Sequence, residues 1–443
     1  MSNQDVIAAV ASPPGMGAVS LIRLSGTGVF EVAEKMLKRF RKDDMRPRYT
    51  FRDDVLDAEG RSIDDVLVVV YQNPGSYTGE DVVEISGHGG IHVTRRVLER
   101  CLECGARPAE AGEFSLRAFL NSKLDLTQAE AVMDLITAQT DLAAKAAREQ
   151  LSGNLGQAVA SMREEIINLV AHVEAYIDFP EEDISPDTGA ALEASFVHLR
   201  DVITGLLGTA RRGRLLREGA RVAIVGAPNA GKSSLLNALL GFDRAIVSAE
   251  AGTTRDTVEE VLDFEGYPVR LIDTAGLREE GSTIEKEGMA RARQRMEEAD
   301  LVVELVDASQ APGARLAEGA LLVLNKTDLG EDGAWKDHEA LRISVLEERG
   351  LDELRREVAK RLGGGAVGNS GGALIAINAR HQDCLRRAEE SLEEARQMLV
   401  SGEEPEFVSL PLREALHAVG EIAGRIDTDE ILGSIFSQFC IGK

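Results

Sequence analysis

The stretch that most constrains the fold of this chain is the segment G-A-P-N-A-G-K-S-S at residues 226–234. It follows a short apolar run and leads into a helix-like pattern. A strand that ends in a glycine-rich turn before a helix points backbone N–H groups at a phosphate chain, and the helix N-terminus adds partial positive charge. Gly226 and Gly231 let such a turn close tightly. Lys232 can reach the outer phosphates and Ser233 can hold Mg²⁺, so the segment predicts a P-loop.

Three further clusters follow the P-loop in a fixed order, namely T-T-R-D at residues 253–256, D-T-A-G at 273–276 and N-K-T-D at 325–328. Thr254 can offer a hydroxyl to Mg²⁺ once a γ-phosphate is present, and Asp273 can hold the water shell of the metal. Asp328 can accept two hydrogen bonds from the guanine edge while Asn325 and Lys326 brace the base. A site of this kind rejects adenine by about 10⁴-fold or more. Four clusters in this order predict a GTP-binding domain.

The residue after the D-T-A-G cluster limits how GTP could be hydrolysed. It is Leu277, where Ras-like GTPases carry a glutamine that orients the attacking water. An apolar side chain cannot orient water. Other candidates in the same loop are Glu279, Glu280 and Glu285, and the loop also carries Arg278. The residues alone do not choose among them.

The region around these clusters alternates short apolar runs with helix-like pieces. We predict strands over residues 221–225, 269–273, 301–307, 320–325 and 341–344. Such runs are typical of strands buried on both faces, as in a parallel sheet. We therefore predict an α/β, Ras-like P-loop G domain over residues 218–364.

The N-terminal part of the chain predicts a compact α+β domain over residues 1–120. The predicted strands cover residues 6–11, 18–24, 66–71 and 82–86, and the predicted helices cover residues 29–40 and 91–104.

Two stretches rich in Ala, Leu and Glu flank the G domain. We predict helices over residues 127–138, 141–177 and 189–213 before it, and over residues 378–400, 408–424 and 427–439 after it. The second stretch is short for a core of its own. We therefore favour one helical domain split in sequence, residues 121–217 and 365–443, with the G domain inserted into it. Two separate helical domains are the alternative.

Composition excludes several classes of protein. The 443-residue chain has 50 Lys and Arg against 75 Asp and Glu, which argues against wrapping nucleic acid over its whole surface. Its four cysteines form no disulfide framework, which suits a reducing compartment. We see no signal peptide and no apolar stretch near the roughly 20 residues of a membrane span. We therefore expect a cytoplasmic protein without a membrane segment.

The chain resembles the MnmE (TrmE) family of tRNA-modification GTPases over essentially its full length. The resemblance is carried by residues 78–81, 87–90, 112–114, 117–120, 124–126, 128–130, 177–180, 226–234, 252–256, 273–278 and the terminal F-C-I-G-K at 439–443. It implies an N-terminal folate-binding and dimerisation domain, and a split helical domain that holds the G domain. One departure is visible, because the last guanine loop of the family reads S-A-R/K and here residues 344–346 read S-V-L.

The resemblance also implies the ligands of the nucleotide site. Glu285 matches the catalytic glutamate of the family, and Ser233 and Thr254 match the Mg²⁺ ligands. The implied K⁺ ligands are Asn229, Ser248, Glu250 and Thr253. The GTP-binding residues predicted from the clusters and the resemblance are Asn229, Ala230, Gly231, Lys232, Ser233, Ser234, Ser248, Thr253, Thr254, Asp273, Thr274, Ala275, Gly276, Asn325, Lys326 and Asp328.

The implied folate ligands are Arg23, Glu84, Lys123 and the terminal Lys443, at positions that bind 5-formyl-tetrahydrofolate in the family. The pairing is chemically sensible, because a pterin edge suits a carboxylate and a glutamate tail suits Lys or Arg. Without the resemblance, each of these residues would be predicted to be an ordinary surface residue.

The function implied is a K⁺-stimulated GTPase that works as a homodimer with an FAD-containing partner of the MnmG (GidA) type, in a heterotetramer. Together they add a carboxymethylaminomethyl group at C5 of the wobble uridine of certain tRNAs, with a one-carbon unit from 5,10-methylene-tetrahydrofolate. The first alternative is a regulatory GTPase of ribosome assembly without modification chemistry. The second is a folate-dependent methyltransferase that acts without GTP.

Overall fold

The computed structural model describes residues 5–44, 46–178, 187–242, 261–273, 296–363, 375–401, 403–424, 429–437 and 439–442. The chain forms two compact units. The first contains residues 1–133 and 420–443, and the second contains residues 134–419. The predicted domain boundaries at residues 120, 217 and 364 stay a prediction.

The first unit is built on a six-stranded sheet in the order β3-β4-β5-β2-β1-β6. Its strands are β1 Ile7–Val10, β2 Val19–Ser25, β3 Thr50–Leu56, β4 Ser62–Tyr71, β5 Val82–His88 and β6 Arg107–Pro108. Helices α1 Val29–Met36, α2 Ile91–Glu103 and α3 Glu113–Leu120 complete it. Along β4, Val66, Val68 and Val70 are buried while Leu67 is exposed, as the two-residue period of a strand requires. The α+β prediction for this part of the chain is confirmed.

Strand β3 was missed because its sequence, T-F-R-D-D-V-L, is rich in charge. The structure shows why one aspartate is tolerated there. Asp53 is buried, and its carboxylate accepts the backbone N–H groups of Arg39 and Phe40 at 3.0 and 2.9 Å. It thereby provides hydrogen-bond acceptors for backbone N–H groups just after α1. Helix α1 ends at Met36 rather than at the predicted Phe40.

The C-terminal residues pack within the same unit. Phe436 and Phe439 join Leu126 and Ala129 in one apolar cluster. Ile441 forms an antiparallel bridge with Ala111. The segment that the resemblance marks as most distinctive, residues 439–442, therefore lies against the start of α3.

A network of charged side chains ties the ends of this unit together. Arg117 is 3% exposed and contacts Asp5, Glu80 and Glu113 at 2.8, 3.1 and 2.9 Å. Arg107 contacts Asp5 and Glu113 as well. Several of the motif residues that carry the family resemblance in this unit are thus structural, because they satisfy one another's charges.

Helix α4, Leu126–Thr137, crosses the division between the units. The second unit continues with helices α5 Asp141–Leu151, α6 Asn154–Asp178, α7 Asp187–Leu207 and α8 Ala210–Glu218. The single helix predicted over residues 141–177 is wrong. The chain breaks at Gly153, whose φ of +91° is left-handed and ends α5 before α6 begins. The unbroken helix over residues 189–213 is also wrong, since α7 ends at Leu207.

The second sheet has the order β12-β11-β10-β7-β9-β8 and is parallel except for the β8–β9 hairpin. Its strands are β7 Ala220–Val225, β8 Val261–Phe264, β9 Tyr267–Asp273, β10 Leu301–Asp307, β11 Leu321–Asn325 and β12 Leu341–Arg342. Two helices lie between or after these strands in the sequence, α9 Lys232–Phe242 and α10 Leu351–Leu362. The prediction of a parallel sheet is confirmed. Strand β8 was missed because its four residues, V-L-D-F, are too few for a periodic pattern.

Helices α11 Ala379–Ser401 and α12 Pro405–Ile422 follow, and α13 Asp429–Ser437 belongs to the first unit. Helix α11 packs against α7, where Thr204 donates to Glu389 at 3.1 Å and Arg396 contacts Glu193 at 3.0 Å. Helices from before and after the sheet are therefore neighbours. Among the residues described, no helix is both long and apolar enough to cross a membrane.

The helices and the second sheet share one apolar core, in which Ala143, Ala146 and Leu215 pack with sheet residues such as Val269. The turn of the β8–β9 hairpin is held by the start of α5, since the Thr140 hydroxyl donates to the Gly266 carbonyl at 2.6 Å. The chain segments just before and just after the second sheet are also in contact. A Cβ at Gly213 would lie 2.5 Å from the carbonyl oxygen of Ile377.

Candidate nucleotide-binding site

The turn between β7 and α9 has the tight geometry that its sequence predicts. A Cβ at Gly226 would lie 2.2 Å from the carbonyl oxygen of Leu305, so a side chain cannot be accommodated there. Asn229 and Gly231 have φ values of +66° and +99°. A Cβ at Gly231 would lie 2.4 Å from the Asn325 amide nitrogen. The loop therefore closes directly on the end of β11.

Lys232 begins α9 and folds its ammonium back over the loop. Its Nζ donates to the carbonyl oxygens of Gly226 and Ala227 at 2.8 and 2.9 Å. Ser233 and Ser234 follow in the first turn of α9 and are exposed. A helix N-terminus with a lysine ammonium at the same place is an anion site suited to a phosphate chain.

The guanine side of the site is braced by hydrogen bonds between its motifs. Asn325 is buried, and its amide donates to the Ala230 carbonyl at 2.9 Å. The Val345 N–H donates to the Asn325 side-chain oxygen at 3.2 Å, and the Ser344 hydroxyl donates to Asp328 Oδ1 at 2.6 Å. Ser344 and Val345, in the segment that departs from the family pattern, therefore contact both base-recognition residues of this chain.

Residue Asp307 was missed by sequence reasoning. It ends β10 in register with Asn325, and the Lys326 ammonium donates to it at 2.7 Å. The signal available was its place at the carboxyl end of a parallel strand next to the N-K-T-D strand, because such ends gather at one edge of a sheet.

Several predicted site residues lie outside the described part of the chain: Ser248, Glu250, Thr253, Thr254, Thr274, Ala275, Gly276, Glu285 and Lys443, together with the side chain of Asp273. The backbone of Asp273 is described and ends β9 in register with Ile224 of β7. The residues that the structure brings together are thus those of the P-loop and the guanine side.

The first unit holds a second group of predicted residues. Arg23 and Glu84 face each other across β2 and β5, with Arg23 Nε donating to Glu84 Oε1 at 2.8 Å. The Tyr71 hydroxyl donates to the other carboxylate oxygen of Glu84 at 3.4 Å. Burial and the Glu84 carboxylate raise the pKa of Tyr71. Lys123 contacts a different segment, donating to the Pro74 carbonyl at 3.1 Å.

Aromatic rings surround the Arg23 guanidinium. Its centre lies 5.7 Å from the Tyr77 ring and 5.8 Å from the Phe114 ring. The Tyr77 hydroxyl is 2.8 Å from the hydroxyl of Ser115. Sequence reasoning did not single out Tyr71, Tyr77 or Phe114 as site residues, because only the folded unit brings them from a strand, a loop and α3 to the Arg23–Glu84 pair.

Comparison with known proteins identifies the family. Residues 6–123 match the family model described as the GTP-binding protein TrmE N-terminus, and residues 126–440 match the MnmE helical domain. The second match alone spans more than half of the chain. The chain belongs to the MnmE (TrmE) family.

Full-length MnmE relatives agree with this assignment. A tRNA modification GTPase MnmE from Akkermansia muciniphila is 49% identical over 442 residues, which cover 99% of this chain and 98% of that protein. The MnmE of Aquifex aeolicus is 44% identical over 99% of this chain and 100% of that protein. The MnmE of Syntrophotalea carbinolica is 44% identical over 100% of both chains.

Proposed function

We propose that this chain is a K⁺-stimulated GTPase of tRNA modification. The observation that carries the proposal is the contact between Asn325 of the guanine motif and Ala230 of the P-loop, at 2.9 Å. It joins a base-recognition element to a phosphate-binding element in one site. The relatives described above are named tRNA modification GTPases, which supports the same reaction.

The nucleotide is held by the residues of this site. Lys232 exchanges its two carbonyl partners for the outer phosphates, and the backbone N–H groups of residues 229–234 surround the phosphate chain. Asp328, fixed by Ser344, accepts the two N–H donors of guanine. Adenine offers no such pair of donors, so the carboxylate would be left without its partners.

The cations suit the donors that the chain presents. Ser233 offers a hydroxyl oxygen and Asn229 offers an amide oxygen, and both residues are exposed at the loop. Oxygen donors of this kind suit Mg²⁺ and K⁺. Ser233 and Thr254 would hold Mg²⁺, while Asn229, Ser248, Glu250 and Thr253 would hold K⁺. Bound there, the cations would neutralise charge that develops on the phosphates.

The water is positioned without a glutamine, because Leu277 stands at that place in the sequence. We assign the task to Glu285. GTP hydrolysis in K⁺ is expected to be at least about tenfold faster than in Na⁺, and Glu285→Ala is expected to lower kcat about 10²-fold, the usual worth of a positioned base. Glu279→Ala and Glu280→Ala serve as matched controls with near-normal rates. Equal rates in both salts would remove the cation mechanism, and a normal Glu285→Ala rate would remove that residue's role.

The first unit is proposed to bind a 5-formyl- or 5,10-methylene-tetrahydrofolate. Glu84 would accept donors of the pterin edge, while Arg23 holds the carboxylate in place through the hydrogen bond at 2.8 Å. Tyr77 and Phe114 add aromatic surface next to it. Lys123 and Lys443 would attract the glutamate tail.

Binding of 5-formyl-tetrahydrofolate to the Glu84→Gln variant should be weaker by about 10–100-fold, because a hydrogen bond to a charged group contributes about 1.5–3 kcal/mol. Isothermal titration calorimetry measures this dissociation constant. Asp65→Asn, on the neighbouring strand β4 and paired with exposed Arg52, is the control and should bind normally. An unchanged dissociation constant for Glu84→Gln would refute the folate site.

The full reaction requires further partners. We propose a cytoplasmic homodimer that joins an FAD-containing MnmG-type protein in a heterotetramer. The product is a carboxymethylaminomethyl group at C5 of the wobble uridine. Mass analysis of tRNA nucleosides from cells without this protein should show that uridine unmodified, and normally modified tRNA would contradict the assignment.

A further inference from the structure

The ion pair between Asp307 and Lys326 lies beside the nucleotide site, and the function proposed above gives Asp307 no task. Asp307 is the last residue of β10 and is in register with Asn325, the last residue of β11. The Lys326 ammonium donates to Asp307 Oδ2 at 2.7 Å. The side chain of Lys326 is 31% exposed and that of Asp307 is 13% exposed, so the pair is partly buried.

The carboxylate of Asp307 is fixed on both sides. The Ser309 hydroxyl and N–H donate to Oδ1 at 2.7 and 3.1 Å, while Lys326 occupies Oδ2. Burial favours the neutral acid, but the hydrogen bonds from Lys326 and Ser309 outweigh burial and hold the pKa of Asp307 below its usual range. Asp307 is therefore a rigid anion at neutral pH.

Lys326 is held at both ends by this arrangement. Its backbone is left-handed, with φ +64°. The residue before it, Asn325, bonds the P-loop, and Asp328 two residues later bonds Ser344. An alkyl stem that is held at its backbone and at its ammonium has little rotamer freedom left, and its methylene groups are an apolar surface two residues before the carboxylate that recognises guanine. A purine face can lie on such a surface.

We propose that Asp307 is a positioning residue for guanine nucleotides. By holding the ammonium of Lys326, it orders the lysine stem before the base arrives. A lysine without this anchor would lose its rotamer freedom only on binding, and that loss would weaken the affinity for nucleotide. The inference rests on the guanine site proposed above.

The test measures the dissociation constant of fluorescent mant-GDP on the nucleotide-free, full-length chain. Asp307→Asn keeps an oxygen for Ser309 but removes the charge that holds Lys326. It is expected to raise the dissociation constant about tenfold, the order set by the rotamer entropy of one lysine. Lys326→Met keeps an apolar stem without the charge. In that background Asp307→Asn should add less than about twofold, because the two residues act as one.

Two further variants separate positioning from general stability. Asp307→Glu should recover part of the affinity by restoring the charge. Glu331→Gln removes a comparable ion pair, with Arg342, from the same unit and should change the dissociation constant by less than about twofold. The inference is overturned by an unchanged constant for Asp307→Asn, or by an equal effect with and without Lys326→Met.

The failure of this inference can be told apart from the failure of the guanine site. Asp328→Asn removes the carboxylate that recognises the base. If mant-GDP binds that variant normally, the assignment of the guanine site is contradicted, and the role proposed for Asp307 is contradicted as well. If Asp328→Asn loses affinity and Asp307→Asn does not, the site stands and only the role of Asp307 is overturned.

Discussion

Replacing Lys232 with alanine is expected to lower kcat/KM for GTP hydrolysis by about 10³-fold, the upper range for the loss of one donor to a charged transition state. The Lys232 ammonium is held over the P-loop by the Gly226 and Ala227 carbonyls, at 2.8 and 2.9 Å. It therefore lies at the phosphate-binding loop, where it exchanges these two carbonyl partners for the charge that develops on the phosphates. Alanine leaves that place without a cation.

The matched control is Lys336→Ala, which removes an exposed lysine from the same unit and should keep normal kinetics. The chain has one tryptophan, Trp335, which is 2% exposed, so its fluorescence reports whether this unit remains folded in both variants. A folded Lys232→Ala protein that hydrolyses GTP at the normal rate would contradict the assignment of the phosphate site.

The second large effect is expected on stability. Arg117→Met should destabilise the first unit by about 3–5 kcal/mol, because it leaves Glu80 without an ion-pair partner and leaves Asp5 and Glu113 with Arg107 alone. Glu80 and Glu113 each lose their contact with a guanidinium that is 3% exposed. Hydrogen exchange of peptides from β1 and α3 measures the change locally.

Arg52→Met is the control for this prediction. Arg52 pairs with Asp65 on the same sheet but is 74% exposed, so its removal should leave the exchange rates nearly unchanged. Similar exchange rates in Arg117→Met and Arg52→Met would show that the buried network contributes little to stability.

The same network predicts how this unit responds to acid. A hydrogen bond from Arg107 is the main cause of the lowered pKa of Asp5. Burial raises the pKa of Glu113, but hydrogen bonds from Arg107 and Arg117 outweigh it and lower that pKa as well. Both carboxylates therefore bind protons more weakly in the folded state, so their contribution is complete above the unfolded pKa values and is lost as the pH falls below them.

Sequence reasoning succeeded where the information is local. The P-loop, the N-K-T-D strand and the parallel runs of the second sheet are each encoded within a few neighbouring residues. It failed where a distant residue decides the outcome. Strand β3 depends on Asp53 meeting the chain after α1, and Gly153 ends α5 although the residues on both sides favour a helix.

The candidate sites show the same limit. Asn325 and Asp328 are recognisable from their motif, whereas Asp307 has a role only because β10 and β11 are adjacent and in register. Tyr71 contacts Glu84 and Phe114 lies next to Arg23, although the two aromatic residues belong to different elements of the first unit. No spacing along the chain connects such residues, because their proximity is created by strand pairing and helix packing.

The contact between α7 and α11 has a consequence for how this protein is made on the ribosome. Translation produces α5 and α7 before any strand of the second sheet. Helix α5, whose start contacts the β8–β9 turn, has therefore already been synthesised when that hairpin emerges. Helix α11 follows the second sheet, and until it leaves the exit tunnel the α7 side chains that face it, such as Phe196, lack their contact with that helix. A nascent chain stalled after α10 therefore exposes apolar side chains of α7 that are buried in the finished protein, and such a surface is suited to binding a chaperone.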